Sequence, residues 1–583
     1  MTTAAIPAST LLDEPHHDGS DLYVLERPTE LGGEATVRID VPCDIETVAV
    51  RWVEDGEARA AAAERDGDRT WIARFPVRNP VTNYRWLLAG GDLGYAWLNG
   101  AGVVDHDVPD ADDFVLSLET GGPAWHLESV VYEIFPDRFA SSGLAVEPPA
   151  WAVRRRWDEL PEGRSANTPV EWFGGDLPGI EAHLDHVESL GANVIYLTPI
   201  FPAGSTHRYD ATTFDRVDPL LGGDEALASL TRAAHARGIR VVSDLTTNHT
   251  GDGHEWFVAG ERELYLFDAD GDYEAWWGIK SLPKLNWRSP ELRRRIQRVA
   301  RRWQEPPFEL DGWRIDVANM SGRTGATDVN ATVSRTLREA VEPDTLLVAE
   351  HFHDFRPDVG SWHGAMDYAG FSRPVWTWLR GDVEIPYFGL PVSLPRLDGA
   401  RVAATMRAFR AGVPWQFVLH SWAILDSHDT PRFRTMTGSR ERQLVGVGLQ
   451  MTTPGVPMVF AGDEIGLEGM WGEDARRTMP WDRRETWDGQ LSAEYQRLIA
   501  LRRSHEALAS GGIRYVFVDD GVIAYLRETR DERLLCLASR APHEPIPVPF
   551  TSLETLYGDD ADGGFLPADG PSFHVWRHPK GSH

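Results

Sequence analysis

The sequence predicts an α/β chain: a (β/α)8 TIM barrel with a small inserted subdomain after its third strand, an N-terminal β-sandwich before it and a C-terminal β-sandwich after it. Three observations predict it. Between residues 124 and 505, short apolar runs alternate with helical patterns, as in a parallel sheet covered on both faces. Eight such units fit a closed barrel better than an open sheet. On either side the rhythm gives way to short alternating strands broken by Gly, Asp and Asn at turn spacing.

Residues 1–123 read as the N-terminal sandwich. Ala35, Val37, Ile39 and Val41 alternate with polar residues, as do Val48, Val50 and Trp52, so each strand buries one face. Gly121-Gly122-Pro123 marks the boundary. In the barrel, 124–505, strands are expected over 130–134, 192–200, 240–244, 310–317, 346–350, near 365–369, over 418–425 and over 456–460. A helix is expected from Asp224 as N-cap to Gly238 as terminator. Another opens at Ser289-Pro290, a cap followed by proline, and keeps a helical period through Leu292, Ile296, Val299 and Trp303. The long, aromatic and Gly/Asp-rich stretch 249–286 interrupts the rhythm and reads as the inserted subdomain. Residues 506–583 return to short strands (513–518, 522–526, 534–537, 573–576) and form the C-terminal sandwich.

Composition narrows the function classes. The 583 residues are 42% hydrophobic and 25% charged, an ordinary globular balance. The net charge of −31 argues against binding a phosphate backbone, so no nucleic-acid partner is expected. No apolar run reaches the ~18 residues of a membrane helix. The opening Met1-Thr-Thr-Ala-Ala-Ile-Pro has no basic segment and no apolar core, so no secretory signal is read. Two cysteines, Cys43 and Cys536, far apart in the chain, exclude a disulfide framework. The expected setting is the cytoplasm. The 23 tryptophans leave two readings open: faces for stacking sugar rings, or cores with many aromatic anchors.

In such a barrel the active site lies at the C-terminal ends of the strands. Strand three ends at Asp244 with Asn248 and His249 just after. Strand four carries Arg314 and Asp316, strand five ends in Glu350, and strand seven leads into His428 and Asp429. Asp316, Glu350 and Asp429 together suit glycosidic cleavage. One carboxylic acid protonates the leaving oxygen, one carboxylate attacks or steadies an oxocarbenium-like centre, and a third holds hydroxyls. Arg314, two residues before Asp316, shares its strand face. Each residue alone also has a plain structural reading, as a cap, a turn or an ion pair. His351 and His353 lack a third ligand at ordinary spacing, so no zinc site is read.

Four segments occur in order: Asp244-Leu-Thr-Thr-Asn248-His249, Gly312-Trp-Arg314-Ile-Asp316, Val348-Ala-Glu350 and Ser427-His428-Asp429. In these the sequence resembles the α-amylase family of retaining glycosidases, glycoside hydrolase family 13. Leu282-Pro-Lys284-Leu-Asn286 and Asp311–Asn319 resemble its cyclomaltodextrinase, neopullulanase and maltogenic amylase group. The resemblance implies Asp316 as nucleophile, Glu350 as general acid/base and Asp429 as transition-state stabiliser. It places Tyr209, His249, Arg314 and His428 around the scissile sugar, with His207, Asn319 and Met320 nearby. Arg476, after strand eight, is a further candidate for the sugar, with helix-cap and surface-pair roles left open. The resemblance also implies a small oligosaccharide substrate, linear or cyclic, and a homodimer through the N-domain.

The sequence departs from the group at several points. Met320 stands where a Glu is common, His351-Phe352-His353 follows the acid, and Ser427 replaces an Asn. Ser141-Ser142-Gly143 lacks the ligands of the group's calcium loop, although Asp176 remains, so no metal and no cofactor is expected. These departures resemble members that hydrolyse cyclic α-maltosyl-(1→6)-maltose. Hydrolysis, transfer to a sugar acceptor on the same scaffold, and a catalytically inactive carbohydrate-binding protein remain the three alternatives.

Overall fold

The computed structural model describes residues 11–119, 121–165, 167–386, 390–470, 472–550 and 552–579. The opening segment read for a secretory signal lies outside the described residues.

Eight parallel strands form the central sheet: β1 (Val131–Ile134), β2 (Val194–Leu197), β3 (Arg240–Thr246), β4 (Gly312–Asp316), β5 (Leu346–Ala349), β6 (Gly364–Ala365), β7 (Trp422–Ile424) and β8 (Val456–Phe460). Their order runs β6-β5-β4-β3-β2-β1-β8-β7, and a parallel bridge between Met366 and Trp422 joins the two ends. The sheet therefore closes as a (β/α)8 barrel. Every residue of β1, β2, β4, β5, β7 and β8 is buried. That is why these strands read as unbroken apolar runs rather than alternating ones.

The helix expected after Ser289 is present over Pro290–Arg302, and Ser289 accepts the Leu292 N–H as its cap. The helix expected from Asp224 spans Gly223–His235, and its cap position is Gly222. Asp224 lies in the first turn, and its carboxylate accepts the Val217 N–H instead. The expected strand 418–425 is a correction. Residues Trp415–His420 are helical, and only Trp422–Ile424 pair in the barrel. A short apolar run cannot be told from a buried helix by periodicity. The sixth strand is two residues long and precedes most of the stretch expected for it.

The segment between β3 and the Pro290–Arg302 helix holds only short turns of helix (Glu255–Val258, Arg262–Leu264, Trp276–Gly278) and isolated bridges. One of these, His249 with Lys284, ties the base of the segment to the barrel mouth.

Before the barrel, a four-stranded and a six-stranded sheet enclose a core that includes Val37, Ile39, Val50, Phe75, Tyr84, Trp86 and Leu88. After it, a five-stranded sheet and a two-stranded one enclose Val516, Leu526, Leu535, Leu537 and Trp576. The C-terminal sheet sits on the helix Arg440–Thr452, where Gly448 faces the Phe573 ring. A Cβ there would lie 2.2 Å from the ring. Among the described residues, no helix is long and apolar enough to cross a membrane.

Candidate active site

The site forms at the C-terminal mouth of the barrel, and its centre is a buried guanidinium. Arg314, on β4, donates through Nη1 to Asp244 at 2.9 and 3.2 Å and to Asp316 at 3.0 Å. Its Nη2 lies 3.1 Å from Glu350. Arg314 and Asp316 share a strand face because they are two residues apart. Asp244 reaches the same fork from the adjacent β3, where it pairs in register with Arg314. A cation with no solvent contact needs such carboxylates, since unpaired burial of charge is costly.

The Glu350 side chain also accepts the backbone N–H of Val317 at 2.7 Å. Val317 follows Asp316 directly and holds φ at +36°. A β-branched residue rarely occupies this left-handed region, so strain is stored beside the two carboxylates.

Asp429 lies across the mouth, after β7. Arg476 donates to it at 3.0 Å, and His428 Nε2 is 3.2 Å from its other oxygen. Arg476 Nε also donates to the His428 carbonyl at 2.7 Å. Arg476 is therefore a partner of Asp429 rather than a surface residue. Tyr209 connects the two halves of the site. Its hydroxyl lies 2.9 Å from Asp244 and 2.7 Å from His428 Nε2, and its ring stacks on the imidazole. The His207 ring also stacks on Tyr209, and its Nδ1 accepts the Tyr209 N–H at 3.2 Å.

His249 is buried with Nε2 4.0 Å from Asp316 and without a hydrogen-bond partner, free to meet a ligand hydroxyl. Its ring stacks on Trp276, which in turn stacks on Trp277, 4.8 Å between centroids. Trp276 Nε1 donates to the Met320 sulfur at 3.2 Å. Met320 thus packs the inserted segment against the loop after β4. Asn319 sits beside it, and its carbonyl accepts from Arg323. Arg323 also binds Asp358, which accepts from His351 at 3.0 Å. The loops after β4 and β5 are braced together in this way, and His351 serves that brace.

Electrostatics separates the three carboxyls. Burial, then the negative charge of Glu350, pushes Asp316 well above the ordinary carboxylate range. Burial and the charge of Asp429 raise Glu350 against the opposing pull of Arg314. The positive charge of Arg314 opposes both shifts, and its Nη1 donates directly to Asp316. Burial also works to raise Asp429, but His428 and Arg476 outweigh it and hold that group low. Burial lowers His249 to about 3, so it is neutral.

The structure brings together Asp316, Glu350, Asp429, Arg314, Tyr209, His249 and His428, with His207, Asn319, Met320 and Arg476 around them. Sequence reasoning missed Glu133, Trp276 and Trp277. Glu133 is wholly buried on β1, and its carboxylate meets His428 Nδ1. The available signal was a carboxylate inside an otherwise apolar strand, since such a group requires a partner.

The calcium loop of the group does not fit a cation here. The Asp176 carboxylate accepts the N–H groups of Ser142 and Gly179 and the hydroxyl of Ser142. It caps a helix over Leu177–Glu181, and its oxygens are directed at donors rather than at a metal. Among the described residues, no three His, Cys, Asp or Glu side chains cluster as metal ligands.

Known proteins share this architecture. The family profile described as "Alpha amylase, catalytic domain" matches residues 133–277, 261–367 and 398–500. A cyclomaltodextrinase of Geobacillus thermopakistaniensis is 32% identical over 463 residues, 73% of this chain and 71% of that one. Neopullulanase 2 of Thermoactinomyces vulgaris is 31% identical, over 76% of this chain and 75% of that one. The solved structure of the cyclic α-maltosyl-(1→6)-maltose hydrolase of Arthrobacter globiformis, in complex with cyclic α-maltosyl-(1→6)-maltose, is 33% identical. It superposes with a TM-score of 0.64 over 74% of this chain and 94% of its own. The chain belongs to the alpha-amylase family and is a glycoside hydrolase.

Proposed function

We propose that this enzyme cleaves α-1,4 glucosidic bonds of small or cyclic malto-oligosaccharides with retention of configuration. The observation that carries the proposal is the shared fork: Asp316 and Glu350 meet adjacent nitrogens of one buried guanidinium. Glu350, whose carboxyl is raised, gives its proton to the glycosidic oxygen as Asp316, held by the Arg314 guanidinium, attacks the anomeric carbon. The C–O bond breaks and a β-glucosyl ester forms on Asp316. Water then attacks that carbon, Glu350 takes its proton, and the ester bond breaks to free Asp316. Asp429, kept ionised by His428 and Arg476, holds sugar hydroxyls, while Tyr209 and His249 flank the same ring. Asp316→Asn should lower turnover by at least a thousandfold yet still bind oligosaccharide. Near wild-type rates would refute the assignment of Asp316.

For the substrate we propose cyclic α-maltosyl-(1→6)-maltose, supported by the likeness to the Arthrobacter globiformis hydrolase over 74% of this chain. A hydrolysis panel of that compound, cyclodextrins, pullulan, maltotriose and starch tests it. A preference for any other member of the panel would overturn it. One observation favours transfer to a sugar as a second reading. Met320 and Trp276 give an apolar acceptor side, and longer products at high substrate concentration would show it.

We further propose a cytoplasmic enzyme, which the free thiols of Cys43 and Cys536 support. The family resemblance supports a homodimer through the N-terminal sheets, tested by light scattering with the N-terminal sheets removed. We also propose activity without calcium at the Asp176 loop. A chelator should leave rate and melting temperature unchanged.

A further inference from the structure

We propose that Glu133 is a positioning residue that keeps His428 doubly protonated, so that the imidazolium orients Tyr209 and holds Asp429 ionised. This rests on the reading of Asp429 as a carboxylate required in the reaction. The argument begins with hydrogen-bond direction. Tyr209 has one hydroxyl proton, and the Asp244 carboxylate 2.9 Å away can only accept it. His428 Nε2, 2.7 Å from the same oxygen, must therefore be the donor there. On the opposite side of the ring, Nδ1 meets the Glu133 carboxylate, which also accepts. Both nitrogens then carry protons, and the ring is a cation.

The surroundings favour that state. The groups facing His428 are Glu133 from β1, Asp429 from its own loop, Arg476 from the segment after β8 and Tyr209 from the loop after β2. Asp244 and His207 contact Tyr209 in turn. Burial disfavours the imidazolium, but Asp429 and Glu133 outweigh burial and the repulsion of Arg476, and the ring is held above its ordinary range. Glu133 has no solvent contact, and its second oxygen has no partner, so His428 is what its charge serves. Without that charge, deprotonation at Nε2 would place a lone pair against the Tyr209 oxygen. Asp429 would lose one of its two cationic neighbours.

The test is the pH profile of kcat/KM on a small malto-oligosaccharide for wild type, Glu133→Gln and Glu133→Asp, with the turnover of Asp429→Asn measured beside them. Glu133→Gln preserves shape and removes charge. Its alkaline limb should fall about one pH unit below that of wild type, while activity near pH 5.5 stays within about threefold. Glu133→Asp should recover part of the limb. An unmoved limb in Glu133→Gln overturns the proposal. So does a uniform loss of activity at every pH, since that indicates structural support only. Should Glu133→Gln not fold, the wild-type ring decides alone: nitrogen NMR of His428 at pH 7 should show both ring nitrogens protonated, and a neutral imidazole overturns the proposal. Asp429→Asn separates the two ideas. Turnover surviving in it refutes the underlying mechanism, whereas its loss beside an unshifted Glu133→Gln limb refutes only the role of Glu133.

Discussion

Val317 donates its backbone N–H to Glu350 at 2.7 Å while its φ is held at +36°. One peptide thus joins the residue after Asp316 to the side chain that follows β5, and the strain is local to that link. Glycine adopts this conformation at no steric cost. Val317→Gly should relieve about 1–3 kcal/mol of strain and lose up to about 1 kcal/mol to chain entropy. The expected result is unchanged or raised stability in denaturant titration, with kcat lowered about tenfold because the N–H is less firmly fixed. Lower stability with unchanged kcat would count against a functional strain.

Arg476 is the second cation on Asp429, at 3.0 Å. Arg476→Met keeps the aliphatic stem and removes the charge. The Asp429 carboxyl should then titrate at higher pH, because burial is opposed by His428 without its second cation. Asp429 must be ionised to act, so the acid limb of kcat/KM should move up by about one pH unit. An unmoved acid limb would show that Arg476 only supports the loop.

Trp277 is 59% exposed, stacks on Trp276 and holds φ at +49°. An exposed indole in a strained conformation, two rings away from His249, suits the face of a sugar. Trp277→Gly should raise KM for oligosaccharides about tenfold, the effect of roughly 1.4 kcal/mol of lost stacking, without loss of stability. Equal KM values for variant and wild type would remove Trp277 from the binding surface.

The barrel floor should sense acid through His420. Trp422 Nε1 donates to His126 Nε2, so His126 carries its proton on Nδ1 and donates to His420 Nδ1 at 3.0 Å. Burial lowers His420 to about 4. The unfolded chain, with an ordinary histidine near 6.5, binds more protons between those values. Neutral His420 therefore supports the fold fully above pH ~6.5, and that support is lost as pH falls toward 4. His420→Asn keeps an acceptor near Nδ1 but cannot titrate. Its deficit against wild type should shrink on acidification from pH 6.5 to 4, by about 3 kcal/mol. A constant deficit over that range would contradict the assignment.

The eight-unit barrel and its flanking sheets were legible because buried parallel strands carry unbroken apolar runs and half-buried ones alternate. The same logic misplaced residues 418–420, where an apolar run belongs to a short helix leading into β7. Asp316, Glu350 and Asp429 were legible as charges at strand ends, which a packed interior does not otherwise retain. The roles of Arg476 and His351 were not, because each is fixed by partners that the spacing does not reveal: Arg476 by Asp429, His351 by Asp358 within the Arg323 brace. Trp276 and Trp277 were hidden among many tryptophans, and what distinguishes them is the stacking of Trp276 on His249 and of Trp277 on Trp276.

The central claim is that Asp316 forms a covalent ester with the sugar, which water then opens from the same face as the departed group. The anomeric form of the first reducing product, read by proton NMR before mutarotation, tests this most directly. The account predicts the α-anomer. A β-anomer as first product would contradict it.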